Sequence, residues 1–347
     1  MAAHETLPRP ADDDIRAALR LANRAPSVHN TQPWRWELEA AVLHLAADPD
    51  RRLAVADPDG RQLTISCGAV LHHARTVFGA RGYRTDLVRL PDPARRERLA
   101  TLRFRPWPAP PDGVLRRAAA IAGRRTDRLP LLPPARWPEL LHRLRMLASP
   151  HFVEVDELDE AAGPRLAAAS ALVGAAAEAD PGYRDELRWW TGHPGDVGVP
   201  ATALASGAEA AAVPLGRSFA APESTGRTSA AEGASGLSFA AAGAGGGREH
   251  PDGAALIVLS SAAEGAEQWL RTGEALSAIL LECAASGAAC CPLTHLTESR
   301  RVRTQLTGML RRPGVPQVLV RIGTAPAGEH PEPTPRLHLD EVLTITR

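Results

Sequence analysis

The chain has no lysine: all 40 of its basic side chains are arginine, and 40 Asp and Glu bring the formal net charge to zero. No block of like charge stands out, so the electrostatic footprint of a nucleic-acid binder is missing, and so is a polybasic patch for anionic membranes. Asparagine occurs twice, as Asn23 and Asn30. Four cysteines (Cys67, Cys283, Cys290, Cys291) have spacings that match no zinc or redox signature, and the adjacent pair reads as two reduced thiols. No stretch approaches the roughly 18 uninterrupted apolar residues of a membrane span. The opening Met1 to Glu5 runs into Asp12-Asp13-Asp14 without the basic and apolar regions of a secretory leader. A cytoplasmic protein is expected. At 347 residues the chain is long enough for one large domain or two ordinary ones.

What is present begins with Ala25-Pro26-Ser27-Val28-His29-Asn30-Thr31-Gln32-Pro33-Trp34-Arg35-Trp36. Two prolines bracket small polar residues, and Pro33 breaks any continuing helix. The segment reads as a rigid loop entering a tryptophan-anchored strand, a common design for binding loops. Asn30 is conspicuous in a composition so poor in Asn. One amide both donates and accepts, which suits a heterocyclic ligand edge; the plainer reading is a turn cap.

Hydrophobic spacing organises the rest. Asp12 to Asp14 cap a helix with Ile15, Ala18, Leu19 and Ala22 on one face. Trp34 to Leu38 and Val42 to Ala46 form a hairpin, Asp57-Pro58-Asp59-Gly60 a turn, and Leu63 to Arg81 a helix closed by Gly82. Strands are expected over Thr85 to Leu90 and Thr101 to Arg105, then a short helix over Val114 to Ala122. The second part again alternates helices and strands. Helix is expected from Pro134 to Ala148, strand at His151 to Val155, and helix to Trp190 broken at Pro181-Gly182. Strand at Ala254 to Ser260, helix from Glu267 to Gly287 and strand at Pro316 to Gly323 complete it. Residues 192–247 are rich in Ala, Gly, Ser and Pro and read as a lid or a disordered loop. The segment from Gly68 to Gly82 matches that from Gly273 to Gly287 in length and apolar phase, a match that any two amphipathic, alanine-rich helices can show.

Arg124-Arg125-Thr126-Asp127-Arg128 follows Gly123. In extended backbone Arg124, Thr126 and Arg128 point one way. Two guanidiniums and a hydroxyl there form an anion site, because arginine forks match phosphate oxygens; Arg125 faces the other way. An exposed charged turn is the competing reading. His72-His73 reads as a packed or exposed pair rather than a metal site, since no further ligands lie at suitable spacing. Trp189-Trp190 is either a shield over a ligand or plain core.

With both segments in view, the chain resembles the FMN-dependent nitroreductases, in particular the Acg-type, dormancy-associated fused-dimer proteins of actinobacteria. Pro26-Ser27-Val28-His29-Asn30-Thr31-Gln32-Pro33-Trp34 follows the family pattern P-S-x-x-N-x-Q-P-W. Arg124 to Arg128 follows R-x-S-x-R, and Cys291-Pro292-Leu293-Thr294-His295 and Pro316 to Gly323 are also family-like. The resemblance implies an α+β, nitroreductase-like, internally duplicated fold: two fused units, each a mostly antiparallel sheet flanked by helices. Residues 1–123 would form the first half and 124–347 the second.

It further implies one FMN per chain at the seam, with NAD(P)H as electron donor and nitroaromatic or quinone-like small molecules as acceptors. Pro26, Ser27 and Asn30 would meet the ring, and Arg124, Thr126 and Arg128 the ribityl phosphate, with Arg125 a weaker contributor. Pro292, Leu293 and Thr294 would lie beside the flavin N5 edge, and Arg336 would help with the phosphate. The symmetry-related second site lacks both motifs and should be dead. Thr294 and His295 replace the usual Glu-Gly, and no Asn or Lys stands mid-chain for the flavin; Arg184 or Arg188 is the substitute on offer. No catalytic acid or base and no metal is expected, and the chain would act as a monomeric pseudo-dimer or as a homodimer. Two other readings stay open: a flavin-sequestering protein with a lid closed over FMN, and a scaffold that binds no cofactor.

Overall fold

A computed structural model describes residues 9–191, 197–200, 203–204, 211–216, 251–327 and 333–346. Helix α1 (Asp12–Ala22) buries the apolar stripe its spacing predicts: Ile15, Ala18, Leu19 and Ala22 are inaccessible. Asp12 to Asp14 form its acidic first turn, where carboxylates favour the helix dipole, but the N-cap is Ala11. Strands β1 (Trp34–Glu39) and β2 (Val42–Ala47) form the expected hairpin. Trp34, Trp36 and Leu38 alternate into the core while Arg35 and Glu39 face out. Helix α2 (Arg61–Ala80) leads into β3 (Tyr83–Arg89) and β4 (Arg98–Pro106). Asp57 opens α2 by accepting from Gln62 N and Leu63 N at 3.0 and 2.9 Å.

After α3 (Asp112–Ala120) and α4 (Trp137–Ala148) come β5 (Val153–Glu157), α5 (Ala162–Ala179) and α6 (Pro181–Trp190). Then follow β6 (Ala255–Ser261), α7 (Ala266–Ala285), β7 (Ala289–Leu293), α8 (His295–Glu298), α9 (Arg300–Thr307) and β8 (Val315–Gly323). The chain ends in α10 (Leu339–Val342) and β9 (Leu343–Thr346).

The two sheets carry the same plan. One runs β3-β4-β2-β1-β9, and the other, read from its far edge, β7-β8-β6-β5. Each unit thus makes two strands, a 20-residue helix (α2 or α7) and two more strands, joined in the same order. All pairs are antiparallel except β1 with β9. The architecture is α+β with an internal duplication. In the second sheet both faces are buried: Val318, Val320 and Ile322 of β8 pack under α4 and α7, while Leu319 packs under α5, α8 and α9.

The units meet along α2 and α7. Gly68 and Gly273 are each the eighth residue of their helix and touch backbone to backbone. A Cβ on Gly68 would sit 2.0 Å from Leu270 O, and one on Gly273 would sit 1.9 Å from Ile65 O. Only hydrogen fits at this crossing. Beside it Glu274, wholly buried, pairs with Arg75 at 3.0 Å and Arg89 at 2.7 Å and so ties α7 to α2 and β3. The last strand crosses between units: β9 adds to β1 of the first sheet with Trp36 opposite Leu343. That crossing carries residues 333–338 past the Pro26 loop.

Of the Ala/Gly-rich tract, residues 197–200, 203–204 and 211–216 are described, and the expected lid over the rest lies outside the described residues. The four cysteines are free and buried. Among the described residues no group of His, Cys, Asp and Glu could hold a metal ion, and no helix is long and apolar enough to cross a membrane.

Candidate cofactor site

The loop after α1 is held by one of its own hydroxyls and by two side chains of α2. Ser27 Oγ accepts from Gln32 N at 3.0 Å and Ser66 Oγ from Val28 N at 3.1 Å, while Cys67 donates to Pro33 O at 3.1 Å. His29, Asn30 and Gln32 have φ of 46°, 56° and 50°. Left-handed backbone at three side-chain-bearing residues so close together persists only where the surroundings fix it.

Arg336 and Asn30 supply much of that fixing. Arg336 donates from Nε to Asn23 O at 2.9 Å, from Nη2 to Arg24 O at 3.1 Å, and from Nη1 to Asn30 Oδ1 at 3.0 Å. Asn30 Nδ2 donates to Gly198 O at 2.9 Å and Pro335 O at 3.0 Å. The side-chain amide of Asn30 is therefore engaged on both ends by protein. In this arrangement the amide ties three chain segments together while Asn30 still lines the cavity.

The Arg124 to Arg128 segment runs beside β7. Thr126 bridges Cys290 in parallel, and Asp127 N donates to Cys290 O at 2.9 Å. Asp127 turns its carboxylate back on Leu129 N at 3.1 Å. Arg124 is buried and donates from Nη2 to Arg24 O at 3.1 Å. Its Nε and Nη1 are buried with no hydrogen-bond partner among the described residues. Burial pushes this guanidinium down to about 10. Burial lowers Arg128 as well, and Arg128 Nη1 donates to Ala203 O at 3.2 Å. Arg336 falls to about 9 through burial first, with the like charges of Arg124 and Arg24 adding to it.

These pieces enclose one cavity of about 590 Å3, counting its space open to solvent. The loop contributes Arg24, Pro26, Ser27 and Asn30; the second segment contributes Arg124, Arg125, Thr126 and Arg128. Pro333, Thr334 and Arg336 arrive from the C-terminal segment, and Val199 and Ala203 from the Ala/Gly-rich tract. Among the described residues, five of the lining side chains are arginine and none is a carboxylate. Orphaned guanidinium N–H groups in such a wall fit a doubly charged phosphate, whose oxygens take forked donors. The residues present therefore suit a phosphate-bearing ligand.

The structure brings together Pro26, Ser27, Asn30, Arg124, Arg125, Thr126, Arg128 and Arg336. Arg125 lines the cavity although alternation assigns it to the far side. Pro292, Leu293 and Thr294 do not line it. Leu293 points into the core with Val258 and Leu296, Pro292 pairs with Val320 in the sheet, and Thr294 O accepts from Thr297 N and Glu298 N at the start of α8. His295 is buried, with Nε2 3.0 Å from Ser170 Oγ. Arg184 and Arg188 are likewise absent from the lining, and Trp190 packs with Val28 and Leu53. Sequence reasoning passes over Arg24, one residue before Ala25-Pro26, where a cation beside the loop motif is the available signal. Nothing in the sequence marks Val199, Ala203 or Pro333.

Of the packed and exposed alternatives for His72 and His73, the structure shows the packed one. Both Nδ1 atoms lie 2.7 Å from Ser277 Oγ at the α2–α7 interface. Burial drives both well below the ordinary histidine range, and His151, beside His72 and near Glu274, falls to about 4 for the same reason.

No family model matches the chain. Curated proteins do. The Mycobacterium tuberculosis protein named "Putative NAD(P)H nitroreductase acg" is 38% identical over 335 residues, which is 96% of each chain. A second protein of that organism, "Putative NAD(P)H nitroreductase Rv3131", is 36% identical over 343 residues, 96% of this chain and 92% of its own. A solved structure, the FMN and NADPH-dependent nitroreductase NfnB from sphigopyxis sp. strain HMH, aligns with 66% of this chain and 97% of its own at 19% identity and a TM-score of 0.37. Overlap at that level does not bear on the fold. The curated relatives place the chain in a class: it belongs to the nitroreductase family. Within it, the match to the acg protein runs along nearly the full length of both chains.

Proposed function

We propose that the chain is an FMN-dependent NAD(P)H oxidoreductase that binds one flavin in the five-arginine cavity and passes electrons to nitroaromatic or quinone-like small molecules. The observation that carries this reading is Arg124, buried in the cavity wall with Nε and Nη1 unpartnered. The relatives' names support it, and the boundary between the units would fall at Gly123 and Arg124. Arg124, Thr126 and Arg128 would hold the phosphate. Pro26, Ser27 and the left-handed backbone around Asn30 would face the ring. When bound, FMN supplies the redox chemistry itself. The chain positions the ring and surrounds it with positive charge, which favours an anionic reduced state. One chain carries both halves of the site, so a monomer suffices, and NAD(P)H as donor agrees with a cytoplasmic location. Oxidised-flavin absorbance that stays with the protein after incubation with FMN and desalting tests the binding.

A second reading is favoured by one observation. Val199 and Ala203 of the Ala/Gly-rich tract line the cavity, with Gly198 O held by Asn30 and Ala203 O by Arg128. A chain covered in this way could sequester FMN with little turnover. Anaerobic NADPH separates the two: rapid bleaching of the bound flavin supports the reductase, and persistent yellow colour supports sequestration.

A further inference from the structure

Arg124 and Arg336 share one cavity wall but spend their donors differently. Arg336 faces seven protein oxygens. Asn23 O, Arg24 O, Ala25 O and Asn30 Oδ1 belong to the loop; Thr334 O, Thr334 Oγ1 and Pro335 O belong to its own segment. A guanidinium has five N–H donors, so none is left over. None of the seven oxygens is a carboxylate. Three are backbone carbonyls just beyond the C-terminus of α1, where a cation is favoured. Asn30 closes the circuit by donating to Pro335 O at 3.0 Å while it accepts from Arg336. Arg124, by contrast, has Nε and Nη1 buried and unpartnered among the described residues.

We infer that Arg336 is a positioning residue. It moulds the loop from Asn23 to Asn30 into its cavity-lining shape through the C-terminal segment, and it leaves the ligand's anionic end to Arg124 and its neighbours. The inference rests on the flavin reading and departs from the expectation that Arg336 itself grips the phosphate. A contact to the anion by Arg336 would strip a carbonyl of its donor and loosen the strained loop. Arg124 can accept the anion without breaking any bond from Nε or Nη1.

Comparing FMN with riboflavin, which lacks the phosphate, separates the two roles. Both ligands are titrated into the wild type, Arg336→Lys, Arg336→Ala and Arg124→Ala, and hydrogen exchange of the loop amides is followed without ligand. Lysine keeps the charge but not the fork. The inference predicts that Arg336→Lys loses about tenfold or more in affinity for both ligands alike, the scale of one or two lost hydrogen bonds. Arg124→Ala weakens FMN selectively. Loop amides from Arg24 to Gln32 exchange faster in both Arg336 variants. If Arg336→Ala does not fold, the lysine variant decides alone. Wild-type FMN affinity in Arg336→Lys, or loop exchange unchanged from wild type, would overturn the inference. If the wild type takes up neither flavin, the cofactor reading fails, and the exchange measurement still decides whether Arg336 moulds the loop.

Discussion

Asn30 and Arg124 line the same cavity, although one lies in the loop after α1 and the other in the segment after α3. They meet there because both chain segments approach Arg24: its side chain lines the cavity, and its carbonyl accepts from Arg124 Nη2 at 3.1 Å and from Arg336 Nη2 at 3.1 Å. A single carbonyl thus receives two guanidiniums from segments far apart in the chain.

Asn30→Ala should destabilise the protein by about 1–3 kcal/mol, because it takes the side-chain donor from Gly198 O, one of two donors from Pro335 O, and one of the acceptors that hold Arg336 Nη1. Urea unfolding of the variant beside the wild type checks this. Coincident unfolding curves would mean that the amide contributes nothing to the fold.

Gly68→Ala should cost about 3 kcal/mol or more, since its Cβ would meet Leu270 O at 2.0 Å and backbone on both sides must move. Gly174→Ala, in α5 with nothing within 4 Å of the added atom, should instead stabilise by roughly 0.5–1 kcal/mol. Thermal melts of the pair read the contrast. Equal melting points would remove the glycine contact as the determinant of how the units pack.

Acid should weaken the fold through the histidines of the α2–α7 interface. His72, His73 and His151 have folded pKa values below their unfolded ones, His151 at about 4. The unfolded chain therefore binds protons that the native one refuses. Their contribution to stability is complete above about pH 6.5. It is lost as pH falls, at a slope of about 1.4 kcal/mol per pH unit for each such histidine. Glu274 opposes the effect at His151, while Arg75, Arg89 and Arg271 reinforce it; Arg75 and Arg117 do so at His72, and Arg124 and Arg336 at His73. Urea midpoints should drop clearly from pH 7 to pH 5. A flat profile over that range would count against neutral buried histidines.

Much of this is legible in the sequence. The α1 stripe, the Trp34 hairpin, the long helices and the Gly68–Gly273 repeat follow from period and punctuation, and the repeat foreshadows the shared strand order. Eight of the eleven anticipated site residues line the cavity: seven come from two short motifs, and Arg336 comes from the C-terminal segment. The misses are long-range. The β1–β9 pairing depends on where a distant tail returns, which no local pattern encodes. Pro292 to Thr294 rest on a motif alone, while β7 alternation turns Leu293 into the core. The amide of Asn30 suits a ligand by its chemistry, but Gly198 and Pro335, both far along the chain, claim its donors.

The most direct test is a fluorescence titration of FMN into the purified wild type and an Arg124→Ala/Arg128→Ala variant. The account predicts saturation near one FMN per chain for the wild type and release of FMN from the variant on gel filtration, because paired phosphate charge supplies much of the grip. A variant that keeps its flavin, or a wild type that takes up none, would contradict it.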